Sequence, residues 1–189
     1  DPGAQTPLWM SQRLLAAGMR PVSLIVDITN YVMLETGQPL HAFDADRVSG
    51  DLVARRARAG EQLETLDHVV RDLDPEDLVI ADDSGPLALA GTMGGVTSEI
   101  DDRSRNILLE AAHFDPVVVA RMSRRHKLSS EASRRFERGV DRVVAPYASG
   151  LAASLIIQLA GGHSTGLTGE EAPLDQHSIS LSADLPARV

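Results

Sequence analysis

A carboxylate set inside an apolar run is the first feature of this 189-residue chain that could do chemistry. Glu110 follows Ile107-Leu108-Leu109 and precedes Ala111-Ala112. A carboxyl group in such a run needs a partner, because desolvating an unpaired charge is costly. The partner is either a backbone amide or arginine of the chain itself, or the hydroxyl of a ligand. His41 comes after Gln38-Pro39-Leu40, where proline holds the chain in an extended turn that can present an imidazole to a cleft. The most glycine-dense segment is Ala90-Gly91-Thr92-Met93-Gly94-Gly95. It carries no lysine and so makes a poor phosphate cradle. Its glycines serve either a tight turn between strands or the close approach of a ligand to backbone N–H and C=O groups.

Other catalytic patterns are missing. The chain has no Gly-x-Ser-x-Gly elbow, no phosphate-loop lysine and no His-Glu-x-x-His. Its six histidines, at 41, 68, 113, 126, 163 and 177, show no short ligand spacing, so no zinc site is expected. The absence of cysteine excludes disulfides, thiolate metal sites and a cysteine nucleophile.

The elements that must position these residues follow from periodicity and turn chemistry. A first helix is expected with Thr6 as N-cap, Pro7 at its first position, Leu8, Leu14 and Leu15 as apolar contacts, and Gly18 as its end. A second runs from after Pro21 to about Thr36, with Gly37 as a left-handed stop. Leu24, Ile28, Tyr31 and Val32 fall three and four apart and mark its buried face. The middle third changes period, with strands predicted at 52–57, 62–66, 78–81, 87–90 and 106–111. Asp82-Asp83-Ser84-Gly85 is a good hairpin turn, and Asp67-His68 a weaker one because neither residue is glycine. Helices return behind Asp115-Pro116, from about Ser130 to Arg138 with Gly139 as the stop, and in a last segment ending near Ala160-Gly161-Gly162. Helical and strand blocks do not alternate, which favours an α+β fold. Beyond Ser164 a connector leads to the strand-like Ser178-Ile179-Ser180-Leu181, read as the start of a neighbouring domain. The expected division is therefore 1–165 and 166–189.

The formal charge of −9 argues against a protein that grips nucleic acid over its whole surface. Charge is segregated, however. Residues 121–142 hold eight Lys or Arg against three Asp or Glu, whereas 60–110 hold three basic and thirteen acidic residues. The basic stretch is either a solvated helix face or a surface for phosphates, so a nucleic acid would approach from one side. No run reaches the roughly 18 to 20 apolar residues of a membrane span, and no secretion signal opens the chain, which leads to the expectation of a cytoplasmic protein without a membrane partner.

Four longer strings carry a family resemblance. The first runs from Val26-Asp27-Ile28-Thr29-Asn30-Tyr31 through Gly37-Gln38-Pro39-Leu40-His41-Ala42-Phe43-Asp44. The others are Leu89-Ala90-Gly91-Thr92-Met93-Gly94-Gly95, Leu109-Glu110-Ala111-Ala112-His113-Phe114-Asp115-Pro116, and Glu131-Ala132-Ser133-Arg134-Arg135-Phe136-Glu137-Arg138-Gly139-Val140-Asp141. In this order they resemble the editing module of bacterial phenylalanyl-tRNA synthetase beta subunits. The resemblance implies an α+β module with β-sandwich-like central sheets, two closely fused lobes and flanking helices. It implies hydrolysis of tyrosine wrongly esterified to phenylalanine tRNA.

By the same resemblance Glu110 would read the phenolic hydroxyl, with Ala90 and Gly91 walling the ring. Thr29, Asn30, His41, Ser130 and Ala132 would line the pocket near the amino acid and its ester, with Arg20 and Leu66 as neighbours. His41, Asn30 and backbone groups of Gly91 would serve the hydrolysis. Partners would be the 3′ end of phenylalanine tRNA and an alpha subunit, in a heterotetramer of two alpha and two beta chains. The module itself would need no cofactor, with ATP and Mg used by other domains. Three positions depart from the family pattern: Ser130 stands where threonine is expected, Thr92 where valine is usual, and His68 where a hairpin glycine is usual. The alternative is a non-catalytic tRNA-binding or scaffolding module, which the basic stretch would suit.

Overall fold

The computed structural model describes residues 3–169 together with Ser180. Helix α1 (Leu8–Ala16) buries Met10 and Leu14 completely. Two expectations for it fail. Thr6 is not the cap, because its hydroxyl donates to Asp27 at 2.5 Å and Pro7 occupies the capping position. Leu8 and Leu15 are 73% and 58% exposed, since the helix offers the protein only the narrow face that carries Met10 and Leu14. Helix α2 (Leu24–Thr36) behaves as its spacing demands: Leu24, Ile28 and Val32 are buried, and Gly37 stops it at φ +78°.

Strand β1 (Leu40–Asp44) comes directly after this stop. The extended turn expected at Gln38-Pro39-Leu40 is the entry to a strand that pattern alone does not announce, because Leu40-His41-Ala42-Phe43-Asp44 contains no β-branched residue. Strands β2 (Val53–Arg56), β3 (Gln62–Glu64) and β4 (Val70–Asp72) follow, then β5 (Leu78–Asp82), β6 (Gly85–Leu89), β7 (Met93–Gly94) and β8 (Ile107–Ala111). They form three antiparallel sheets in the orders β1-β8, β2-β5-β6-β7 and β3-β4. The turn at Asp82-Asp83-Ser84-Gly85 joins β5 to β6 as expected, with the Asp82 carboxylate accepting from Ser84 and Gly85. Neither β4 nor β7 was expected, because runs of three and two residues are too short to show a period.

Helix α3 (Pro116–His126) is capped by the Asp115 side chain, which accepts from Val117 and Val118 N–H. Helix α4 (Glu131–Arg138) begins at Ser130 and stops at Gly139, and α5 (Ala145–Ala160) ends at Gly161. All three match the sequence reading. The strand-like run at 178–181 lies outside the described residues except for Ser180.

Antiparallel sheets flanked by helices confirm the α+β class. The four-stranded sheet is covered on both faces. On β5 the alternation of a strand sends Ile80 one way, to a cluster with Phe43, Leu87, Phe114, Val119 and Phe136. Val79 and Ala81 point the other way, to Leu63, Leu73, Met122 and Leu128. A third cluster joins α1, α2 and α5, where Ala148 and Ala152 are fully buried and their small size lets the helices approach. The buried carboxylate of Asp77 pairs with Arg125 and with His126 at 2.6 Å, tying the end of α3 to the turn before β5.

Candidate functional site

The β1–β8 ladder places His41 directly opposite Glu110. Side chains so paired project from the same face with Cβ atoms about 4.5–5.5 Å apart, so 69 residues of sequence separation collapse to one contact distance. Gln38 secures this register: its fully buried amide donates to Pro39 O and to Ala112 O, both at 2.9 Å, which clamps the entry of β1 to the exit of β8. The His41 ring meets Phe43, two residues along the same face, edge to face at 4.5 Å and 87°.

The glycine-dense loop supplies the opposite wall, and two of its glycines are required by what they touch. A Cβ on Gly94 would lie 2.5 Å from Cε1 and 2.7 Å from Nε2 of His41. Gly91 sits at φ +66°, and a Cβ there would lie 2.8 Å from Phe136 Cδ2 and 2.9 Å from Phe114 Cδ2. Both readings of the loop are thus met: it turns tightly, and it admits side chains of other elements against its backbone. Ala90 and Thr92 spend their N–H groups on Leu78 O and Leu89 O. No hydrogen bond among the described residues engages the N–H of Gly91.

These walls enclose a cavity of about 70 Å³ lined by His41, Ala90, Gly91, Glu110 and Ala132, all expected from the sequence. Phe136, Pro39, Leu89, Thr92, Met93 and Gly94 also line it and were not expected as site residues. Phe136 had a legible signal, being the one aromatic residue in the otherwise polar helix Glu131–Arg138. A larger hollow of about 890 Å³ shares Leu40 and His41 with the small cavity and carries Thr29, Asn30 and Leu66 on its walls. His41 therefore stands between the two spaces.

Two expected residues line neither space. Arg20 is exposed in the loop between α1 and α2. The Ser130 hydroxyl is committed to structure: it accepts from Ser133 N–H at 3.0 Å as the cap of α4 and donates to Thr92 O at 2.9 Å. Ser130 positions the glycine-dense loop rather than facing the cavity.

The His41 and Glu110 side chains are both half-buried, and the hydration they lose to the surrounding protein is the one cause that perturbs them. Loss of hydration pushes the Glu110 carboxyl up to about 7 and the His41 imidazole down to about 4. Among the described residues no cation or hydrogen-bond donor offsets the Glu110 shift, so neither an arginine nor a backbone amide of these residues is its partner. Near pH 7 the imidazole is uncharged and the carboxyl is poised between its two states. Among the described residues no group of three or more His, Asp or Glu is placed to hold a metal ion.

The basic stretch is partly spent internally. Arg125 pairs with Asp74 and Asp77, and Arg134 and Arg135 pair with Glu131. Arg121, Arg124, Lys127 and Arg138 are exposed on α3, on α4 and in the loop between them.

The model of the B3/4 domain family matches residues 1–161. Phenylalanine–tRNA ligase beta subunits are similar to the chain over most of its length. That of Streptomyces avermitilis is 54% identical over 193 residues, covering 100% of this chain and 23% of that protein. For Cutibacterium acnes the identity is 56% over 190 residues, with 99% and 22% covered. For Corynebacterium glutamicum it is 59% over 162 residues, with 86% and 19% covered. The chain thus spans less than a quarter of the length of these relatives. Among solved structures, an N-terminal fragment of the phenylalanyl-tRNA synthetase beta subunit from Pyrococcus horikoshii aligns at 12% identity with a TM-score of 0.40, over 46% of this chain and 33% of that one.

Proposed function

From the fact that this chain belongs to the B3/4 domain family, we propose that it is the editing module of a phenylalanine–tRNA ligase beta subunit, hydrolysing tyrosine misattached to phenylalanine tRNA. The observation that carries this reading is the Glu110 carboxyl, without a partner among the described residues, in a small and otherwise largely apolar cavity beside His41.

Tyrosine differs from phenylalanine by one hydroxyl, which an apolar synthetic pocket rejects by only about 10²-fold in comparable cases. A second site with a buried acceptor inverts the preference. It rewards the phenol, whereas the bare ring leaves the acceptor desolvated and unpaired at a cost of about 1–3 kcal/mol. Glu110 is that acceptor, and Ala90 and Gly91 lie along the ring because they carry little or no side chain. The ester lies toward His41 and the larger hollow, where Thr29 and Asn30 meet the amino acid and the 3′-terminal ribose. A water oxygen attacks the ester carbonyl, the carbon–oxygen bond to the ribose breaks, and the ribose oxygen takes up a proton. The N–H of Gly91 is the loop's candidate donor to the oxyanion that develops.

His41 acts by orientation. General bases work best with a pKa near the operating pH, and burial holds this imidazole near 4. It therefore serves as a hydrogen-bonding group that places water or ribose, together with Asn30. Replacing His41 by Ala is expected to slow deacylation at saturating substrate by about tenfold. A loss in the range of about 10²–10⁴ would instead identify it as the base.

On this reading residues 1–165 form the working unit, the 3′ end of phenylalanine tRNA delivers the substrate, and an alpha subunit completes a cytoplasmic heterotetramer of two alpha and two beta chains. ATP and Mg belong to aminoacylation in other domains. A non-catalytic tRNA-binding module is the second reading, favoured by the exposed cations Arg121, Arg124, Lys127 and Arg138. The deciding experiment is deacylation by the complete protein of phenylalanine tRNA charged with tyrosine or with phenylalanine. Faster release of tyrosine by about tenfold or more is expected. Binding without hydrolysis would support the second reading and overturn the first.

A further inference from the structure

Reading a phenol completely takes two complementary groups. The hydroxyl donates one hydrogen bond and accepts others. An ionised carboxylate only accepts, so Glu110 leaves the lone pairs of a bound phenol unanswered. Of the three polar side chains that line the small cavity, His41 is shared with the larger hollow, and Thr92 is the one whose polar atom is fully buried without a hydrogen-bond partner.

Thr92 is 5% exposed, and its Oγ1 is buried without a hydrogen-bond partner. Its backbone is already committed, the N–H to Leu89 O at 3.0 Å and the C=O to the Ser130 hydroxyl at 2.9 Å. The residue is therefore held firmly while its hydroxyl has nothing to do. Buried polar groups are paired in the great majority of cases, and an exception calls for a cause. Valine has the same shape and no such orphan, so packing does not explain threonine here.

We propose that Thr92 is a specificity-determining residue, whose hydroxyl donates to the ring hydroxyl of the bound amino acid while Glu110 accepts from it. Thr92 lines the cavity, and a step between the staggered positions of χ1, the single heavy-atom torsion of a threonine side chain, is the only adjustment its hydroxyl needs to meet a ligand there. A ligand hydroxyl would supply the partner that Oγ1 lacks among the described residues. This inference rests on the editing function proposed above and adds a second contact to it.

The test is Thr92→Val in the complete protein, because the two side chains are nearly isosteric. kcat/KM is measured for deacylation of tyrosyl and phenylalanyl esters of phenylalanine tRNA by wild type, Thr92→Val, Thr92→Ser and Glu110→Ala. The expected result is a fall of about three- to tenfold in the tyrosine preference of Thr92→Val, the range one neutral hydrogen bond supplies. The fall should lie mainly in tyrosyl-ester hydrolysis, and Thr92→Ser should retain most of the preference. If Thr92→Val keeps the full preference while Glu110→Ala loses it, the role of Thr92 is overturned and the editing reading stands. If wild type shows no preference at all, the editing reading itself fails.

Discussion

Glu110→Ala is expected to lower the preference for tyrosyl over phenylalanyl ester by about tenfold to a hundredfold. A hydrogen bond to a charged group is worth about 1.5–3 kcal/mol, and each 1.36 kcal/mol is a factor of ten. Burial also predicts how this preference varies with pH. Because the Glu110 carboxyl ionises near 7, its charge-assisted acceptor form is minor at pH 6 and dominant at pH 8. The tyrosine preference of the wild type should therefore rise across that interval and then level, whereas that of Glu110→Ala should be flat. A wild-type preference independent of pH would place the discriminating group elsewhere.

The stability of the fold follows the same linkage with opposite signs for the two groups. Glu110 is raised from 4.5 to about 7, so the native state holds its proton more tightly. Its contribution to stability is present below 4.5 and is lost as pH climbs through 7. His41 is lowered from 6.5 to about 4, so its cost develops as pH falls through that window. Between 4.5 and 6.5 the slopes offset. Above 6.5 only the Glu110 cost still grows, and Glu110→Gln should relieve about 1–3 kcal/mol of it at pH 8.

The second large effect is structural. Gly91→Ala should destabilise the protein by about 2–4 kcal/mol, read as a shift of the denaturation midpoint. Part of this is the strain of a side chain at φ +66°, about 1 kcal/mol. The rest is overpacking, typically about 1–3 kcal/mol, because the new methyl would meet Phe136 and Phe114, which are 3% and 5% exposed and packed 5.1 Å apart. Gly18→Ala separates the two contributions. Its φ is +80° and a Cβ there has nothing within 4 Å, so it should show the strain alone. Equal losses in the two variants would mean that the rings yield freely and that Gly91 is retained only for its backbone conformation.

The family resemblance, the α+β class, the buried face of α2, the cap of α3, the Gly139 stop of α4 and the peculiarity of Glu110 were all legible in the residues. Each depends on interactions within a few positions: Asp115 reaches N–H groups two and three residues on, and Leu24, Ile28 and Val32 meet on one helical face. Even the poor hairpin dipeptide at Asp67-His68 forms, with His68 taking the positive φ of 59° that a glycine would adopt without strain. Errors arose where a distant partner competed with a local one. Thr6 has the chemistry of a cap, but Asp27 lies within reach and takes its hydroxyl. Ser130 has the chemistry of a pocket hydroxyl, but α4 and the Thr92 carbonyl claim it.

Residue types thus determined which groups were available: an acid in an apolar run, an imidazole behind a proline, a loop free of side chains. Only the tertiary structure decided that the acid and the imidazole share one cavity, because their pairing across 69 residues depends on the register of β1 against β8, which the Gln38 clamp to Ala112 secures. It also decided their charge states, since the hydration lost by Glu110 and His41 is set by Phe136, Gly94 and other groups far away along the chain.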